Sequence, residues 1–330
     1  MHADSVVETS SVVPIVERRR LVAVMLLLPV IIALAVAAFA WPAARTAPRD
    51  LPLGVVGPAA ALAPLEQRLT SGGAFAVRRY DGEAAAREAI RRRTIYGALV
   101  VTPNGLTVLT ASAASPLVAQ LLQSSAGGAA GVPGGAAPAV QLIDVVPADP
   151  DDPRGAVFGS ALLPLVLAGI LVGAAVALLG KPGVVQIGAL LIAAPLAALV
   201  VVGVVQGWLG ALGGNWATNW GALTLVVLAI AAAVAATRAL LGEAGVALAA
   251  VTMIFIGNTT SGITSAPEML PRPLGAFGQL LPPGAGGSLL RSVAFFDGNG
   301  ASGPLVVLVA WAALGLAVLG LAAWSFARRP

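Results

Sequence analysis

The stretch AVFGSALLPLVLAGILVGAAVALLG at positions 156–180 contains no charged residue. It exceeds the roughly 20 residues that a helix needs to cross a bilayer. The neighbouring sequence continues the pattern. Between Arg154 and Glu268 the only charges are Lys181, Arg238 and Glu243, and each gap holds one or two apolar runs of spanning length. This reading places spans at 157–179, 184–206, 219–237 and 243–261, with a further one at 304–326. Upstream, Leu21 to Ala40 follows Arg18-Arg19-Arg20 directly. Ala38-Phe39-Ala40 has the small-x-small form of a cleavage site, but signal peptides carry apolar regions of only about 7–15 residues. The expectation is an uncleaved first span at 21–42 after a cytoplasmic tail, 1–20.

Residues 43–155 differ in kind. They hold most of the charge, and short apolar runs alternate with amphipathic ones. Strands are expected at Leu51–Gly57, Phe75–Tyr80, Tyr96–Thr102, Leu106–Ala111 and Val140–Val146. Helices are expected at Ala60–Leu69, from Glu83 to Arg93, and at Pro116–Ser125. Pro103-Asn104-Gly105 is a hairpin signal, and Gly127 to Pro138 has the composition of a connector. Leu62, Leu65, Leu69 and Ile90 are expected core positions. The fold class predicted is an α-helical polytopic membrane protein of six transmembrane helices, with a small inserted α/β extracytoplasmic domain at 43–155 and a five-helix domain at 156–330.

Composition agrees. Of 330 residues 58% are hydrophobic and 10% charged, against about 25% charged in ordinary soluble domains. The net charge of +4 comes almost entirely from arginine, since Lys181 is the only lysine. Topogenic arginines account for this balance without nucleic acid as a partner. Cysteine is absent and His2 is the single histidine, which excludes thiolate chemistry and histidine-based metal sites or triads. No catalytic, cofactor-binding or metal-ligating residue is expected.

Orientation follows from the distribution of basic residues. With the N-terminus inside, Arg18, Arg19, Arg20, Lys181, Arg238, Arg328 and Arg329 face the cytoplasm, against Arg272 and Arg291 outside. Both termini are therefore expected to be cytoplasmic in a bacterial plasma membrane, with the lipid bilayer as solvent. Trp41, Trp208, Trp216 and Trp220 then lie near the outer interface and Trp324 near the inner one.

The spans lack the ionisable residues that ion-coupled carriers use. Nor is there a P-loop: Pro182 follows Gly180-Lys181, and Ala175 stands where a glycine is required. Energy for any transport must come from another chain. Lys181, Arg238 and Glu243 are candidate residues for docking an ATPase, although Arg238 and Glu243 also suit a plain hairpin in which they pair. The segment at 262–303, with Glu268, Pro271, Pro282, Pro283 and Arg291, is too polar and proline-broken for a continuous span. It reads equally as a re-entrant outer gate or as an interfacial loop. Gly155xxxGly159 and Gly169xxxGly173 permit close helix approach, a weak pointer to a homodimer. Arg91-Arg92-Arg93 suits a solvated helix end better than attraction of an acidic partner or lipid head groups.

Several segments resemble the ABC-2-type permease superfamily, in the branch that includes phage-infection (Pip-type) membrane proteins. They are Ile95-Tyr-Gly-Ala-Leu-Val-Val-Thr-Pro103, Asp144-Val-Val-Pro147 with Asp151-Asp-Pro-Arg-Gly155, and Pro267-Glu-Met-Leu-Pro271 continuing through Leu281-Pro-Pro-Gly284, Leu290-Arg291 and Phe295-Phe-Asp-Gly298. The order of anchor, extracytoplasmic insertion, five spans and basic tail carries the same likeness. The resemblance implies the membrane subunit of a dimeric exporter, driven by a separate cytoplasmic ATP-binding subunit and moving a hydrophobic or amphipathic substrate outward. It also implies short outer helices at 266–296. The chain departs from such exporters in having no clear coupling helix before the first span, since Pro14 interrupts 5–17. A non-transporting envelope receptor or scaffold that binds through 43–155 is the alternative.

Overall fold

The computed structural model describes residues 15–103, 105–129, 139–180 and 182–327. The chain is mostly helical. It opens with α1 (Ile15–Ala44), which begins six residues earlier than the expected span. The sheet region follows as β1 (Leu51–Val56), α2 (Ala59–Thr70), β2 (Phe75–Arg79), α3 (Glu83–Arg91), β3 (Gly97–Thr102), β4 (Gly105–Thr110), α4 (Pro116–Ala129) and β5 (Ala139–Asp144). The helical part comprises α5 (Ala156–Ala177), α6 (Val184–Val202), α7 (Trp216–Leu241), α8 (Glu243–Val251), α9 (Leu274–Gly278), α10 (Pro282–Phe295) and α11 (Ser302–Ala327).

The strands form one sheet in the order β2-β1-β3-β4-β5, parallel except for the β3–β4 hairpin. That hairpin pairs Thr102 with Gly105, as the turn signal predicts; Asn104 lies outside the described residues. Both faces are covered, which explains why β1 and β3 read as continuous apolar runs. On α3, Ala86, Ala89 and Ile90 recur at helical spacing and are buried. Glu83–Arg87 and Glu88–Arg92 ion pairs occupy its exposed side. Leu51, Leu53 and Ile90 are wholly buried, each contributing about 1.5–3 kcal/mol. Leu62 is buried, whereas Leu65 and Leu69 are only partly covered. The expected connector is shorter than predicted, because α4 runs on to Ala129; 130–138 lie outside the described residues.

Five helices are long and apolar enough to cross a membrane: α1, α5, α6 with its extension to Trp208, α7 and α11. The extension, Gly203–Trp208, is wound as a π-helix. The segment expected as the fifth span is different. Here α8 passes into a π-helical stretch, Thr252–Asn258, and the apolar helix ends at Asn258. Its 16 residues reach about 24 Å at most, short of the roughly 30 Å hydrocarbon core.

The central element is α7, against which α5, α6, α10 and α11 pack. Asn215 caps its start, with Oδ1 accepting from the amides of Ala217 at 2.8 Å and Thr218 at 3.3 Å. Ala229 to Ala236 are buried, and their small side chains let several helices approach at once. A methyl group at Gly169 would lie 2.7 Å from Ile230 Cβ, and one at Gly173 would lie 2.5 Å from the Ala231 carbonyl oxygen. The Gly169xxxGly173 motif is thus occupied within the chain, by α5 meeting α7, and is not a free surface for a second copy. By contrast, α1 stands apart, its apolar side chains exposed along nearly the whole helix. It touches the π-helical stretch through an edge-to-face contact of Phe39 with Phe255.

Candidate functional site

At one end of the bundle the α5–α6 and α7–α8 hairpins come together. Arg238 donates to the carbonyl of Ala177, which terminates α5, and its Nη2 lies 2.8 Å from Glu243 Oε1. A cation at a helix C-terminus is favourably placed. Arg238 and Glu243 therefore form the paired hairpin that the sequence also allowed. Lys181 lies outside the described residues. Glu243 remains 79% exposed at its side chain, so this end presents an accessible acid beside a committed arginine.

The other end carries the α/β region and the segment from Thr259 to Ala301. Two glycines locate α10 relative to α7. A methyl group at Gly286 would lie 2.9 Å from Val226 Cγ1, and one at Gly214 would lie 2.9 Å from the Ala294 carbonyl oxygen. Val226 is roughly 15 Å along α7 from its start, whereas Gly214 precedes the helix. So α10 runs beside the first half of α7, with its proline-bearing end deep and its Phe295 end at the rim. Trp311, about 14 Å along α11, donates to the Leu280 carbonyl at 2.9 Å, putting the α9–α10 turn at the same depth. Pro282 and Pro283 occupy the first turn of α10, where a missing amide costs nothing. Both are buried.

The Thr259–Ile263 stretch between the π-helical turn and the rim is irregular, yet Thr260, Ser261 and Ile263 are buried. Its carbonyls are satisfied by side chains rather than water. Gln279 Nε2 donates to the Ser261 carbonyl at 2.8 Å, and Arg291 Nη2 to that of Ile263 at 2.8 Å. Of the two helices that follow, α10 is buried against α7 and α11, whereas α9 is only partly covered, with Phe277 exposed.

The α/β region is clamped to this segment. The amides of Ala47 and Arg49 donate to the carbonyls of Met269 at 2.9 Å and Glu268 at 3.0 Å. Tyr96 donates its hydroxyl to Glu268 Oε2 at 2.8 Å. Burial and the neighbouring Glu268 carboxylate push the Tyr96 phenol well above its ordinary value. Ala266 and Met269 belong to one of the region's hydrophobic clusters, and Phe296 to another.

Between the two parts lies a cavity of about 780 Å³. Arg49, Arg93, Tyr96, Glu268, Gln279 and Arg291 contribute polar groups to it. Of the predicted gate residues, Glu268 and Arg291 face this cavity, Pro282 and Pro283 set the turn below it, and Pro271 does not line it. The arginine triplet divides. Arg91 and Arg92 are exposed and pair with Glu88, as a solvated helix end would. Arg93, at φ 58°, turns inward and donates through Nη1 to Ser292 Oγ and, at 3.0 Å, to the Ser288 carbonyl. Sequence reasoning missed Arg49 and Tyr96 and gave Arg93 only as part of a basic run; their partners lie about two hundred residues away. For Arg291 a signal existed: a lone charge amid small and apolar residues near a membrane.

Comparison of the chain with protein-family models, curated proteins and solved structures returns no match.

Proposed function

We propose that this chain is the permease subunit of an exporter of the ABC-2 type, moving a hydrophobic or amphipathic molecule outward across a bacterial plasma membrane. In this reading it crosses six times with both termini cytoplasmic. The short helix Glu243–Asn258, completed by the irregular stretch to Thr264, is the fifth crossing. The chain hydrolyses nothing itself; a separate cytoplasmic ATP-binding subunit supplies the energy.

The observation that carries the reading is the buried helix α10 and the proline turn that leads into it. Broken backbone at membrane depth is tolerated only when covered by protein or lining a cavity, and here it does both. Such a discontinuity, ending the fifth crossing halfway and opening under an outer domain, suits a gate. Spans α5, α6, α7 and α11 and the short fifth crossing hold only Arg238 and Glu243, both at the edge of one hairpin, which favours an external energy source over ion coupling. The receptor alternative is less well supported, because the α/β region shares its hydrophobic clusters with Ala266, Met269 and Phe296. A free binding module would carry its own core.

The test is affinity purification of the tagged protein from its native membrane in mild detergent, with mass spectrometry of what remains bound. A stoichiometric P-loop ATPase whose retention drops with Glu243→Arg supports the reading. Its reproducible absence from an otherwise intact complex refutes it and favours an envelope scaffold.

A further inference from the structure

The cavity beneath the α/β region has a charge balance found nowhere else in the bundle. Four arginines, Arg49, Arg93, Arg272 and Arg291, line it against one carboxylate, Glu268. Two of the four are accounted for. Arg272 pairs with Asp50, and Arg49 donates to the carbonyls of Arg45, Ala47 and Met269. Arg93 and Arg291 have no carboxylate ion-pair partner among the described residues.

Arg291 is only 5% exposed, and its Nε has no hydrogen-bond partner. Arg93 reaches the same stretch of α10 from the opposite wall, bonding at Ser288 and Ser292. Positions 288, 291 and 292 share one helix face. Both arginines therefore line the cavity beside the same face of α10. Guanidinium groups hold their proton even when buried, so both are cationic at neutral pH. Phe158 beneath Arg291 and Phe296 beneath Arg93 offer ring faces at 4.8 Å and 5.3 Å, a partial compensation. Uncompensated buried charge is costly, and an oxyanion between the two would offset it. The first turn of α11, at Gly303 and Pro304, borders the same space with its positive dipole end. On one side the wall turns apolar at Leu280 and Val307, and Leu280 is 60% exposed toward the outside of the bundle.

We propose that this cavity binds an anionic amphiphile, its phosphoryl-type oxyanion held between Arg93 and Arg291 and its hydrocarbon lying along Leu280 and Val307. The inference names a substrate class for the exporter reading and rests on that reading for its role, though not for its chemistry. Guanidinium forks match oxyanions in bidentate fashion. A neutral headgroup would leave both charges uncompensated, and a cationic one would be repelled.

The test uses the full chain in an uncharged detergent, titrated with dioctanoyl phosphatidylglycerol, dioctanoyl phosphatidylcholine or inorganic phosphate, with calorimetry and the thermal unfolding midpoint as readouts. Saturable binding of the phosphatidylglycerol is expected, with Arg93→Gln and Arg291→Gln each weakening it about tenfold to a hundredfold. Arg78→Gln, an exposed arginine on β2, leaves it unchanged. Inorganic phosphate that binds as tightly and is lost in the same variants supports the arginine site with a water-soluble anion as its source. Absence of saturable binding by either anion, or binding unaltered in both variants, overturns the proposal. Arg291→Met separates folding from binding. It is expected to raise the midpoint of the anion-free protein and abolish the rise caused by phosphatidylglycerol. A lowered midpoint with the lipid response intact makes Arg291 a structural strut and overturns the proposal. No ATPase is present in this titration, so its failure leaves the exporter reading standing, and loss of the ATPase partner leaves the titration decisive for the site.

Discussion

Gly173→Ala tests whether the α5–α7 contact is the rigid frame on which the outer cavity is built. The added methyl would sit 2.5 Å from the Ala231 carbonyl oxygen and 2.8 Å from Val234 Cβ, where ordinary contact begins at 3.4 Å. One neighbour is backbone and the other the branch point of a β-branched side chain, so no rotamer change relieves the clash. The helices must part by nearly 1 Å. Overpacking of this kind costs about 1–3 kcal/mol, offset by about 1 kcal/mol of helix propensity gained on replacing glycine. The net expectation is a loss of about 1–2 kcal/mol. Gly188 on α6 and Gly221 on α7 have nothing within 4 Å of the same added atom, so Gly188→Ala and Gly221→Ala should be neutral or stabilise by up to about 1 kcal/mol. Unfolding midpoints in mixed micelles of dodecyl maltoside and increasing sodium dodecyl sulfate rank the three variants. A midpoint for Gly173→Ala equal to wild type would refute the packing argument. If that variant instead lost only its dimer, with the monomer midpoint intact, the motif would be an interface between copies.

Tyr96→Phe removes the hydroxyl bonded to Glu268 and should cost about 1.5–3 kcal/mol, the range for bonds to charged groups. The Ala47 and Arg49 amides, which bond to the same strip, should exchange hydrogen faster; unchanged protection there would contradict the clamp. At the far side of the α/β region, the hydrogen bond from Arg79 holds the Glu66 carboxyl below its ordinary value of 4.5. A depressed carboxylate contributes stability above its unfolded value and loses it as pH falls through the folded one. The difference in unfolding midpoint between wild type and Arg79→Gln should accordingly be full at neutral pH, begin to shrink as pH falls below the ordinary value of 4.5, and vanish only below the lowered folded value. A difference that persists in acid would show that the pair acts through packing.

The elements of the α/β region and the helices α5, α6, α7 and α11 were legible within a few residues, because the information for each is local. The short apolar run at Tyr96–Thr102, the helical spacing of Ala86, Ala89 and Ile90, and the long uninterrupted apolar runs need no tertiary partner to be read. The cavity was not legible. Its arginines come from positions 49, 93, 272 and 291, and only the burial of α10 against α7 brings them together. Prolines and polar residues at 262–303 announced broken backbone, but the choice between a surface loop and an inward turn depends on contacts such as Gly286 with Val226. The π-helical windings left no pattern at all in the sequence. Nor did the run of three arginines reveal that its last member takes a left-handed conformation and faces the other way.

The buried polar groups of the helical part fall into two sets, and the division bears on function. Gln186 donates to the carbonyls of Ala177 and Gly180, and Asn219 to that of Gly213. Each is a buried neutral amide closing a helix end, a purely structural use. Asp152, a buried charge, is likewise committed to the Phe158 amide at 2.9 Å, near the start of α5. Arg291 is bonded to the Ile263 carbonyl, a task that a glutamine could perform without the desolvation of a cation. Among the described residues it is the only basic side chain classed as buried. A full charge whose Nε lacks a partner is in excess of what that single bond requires. Its placement on the wall of the cavity beneath the α/β region, which a second arginine also lines, ties that excess to binding.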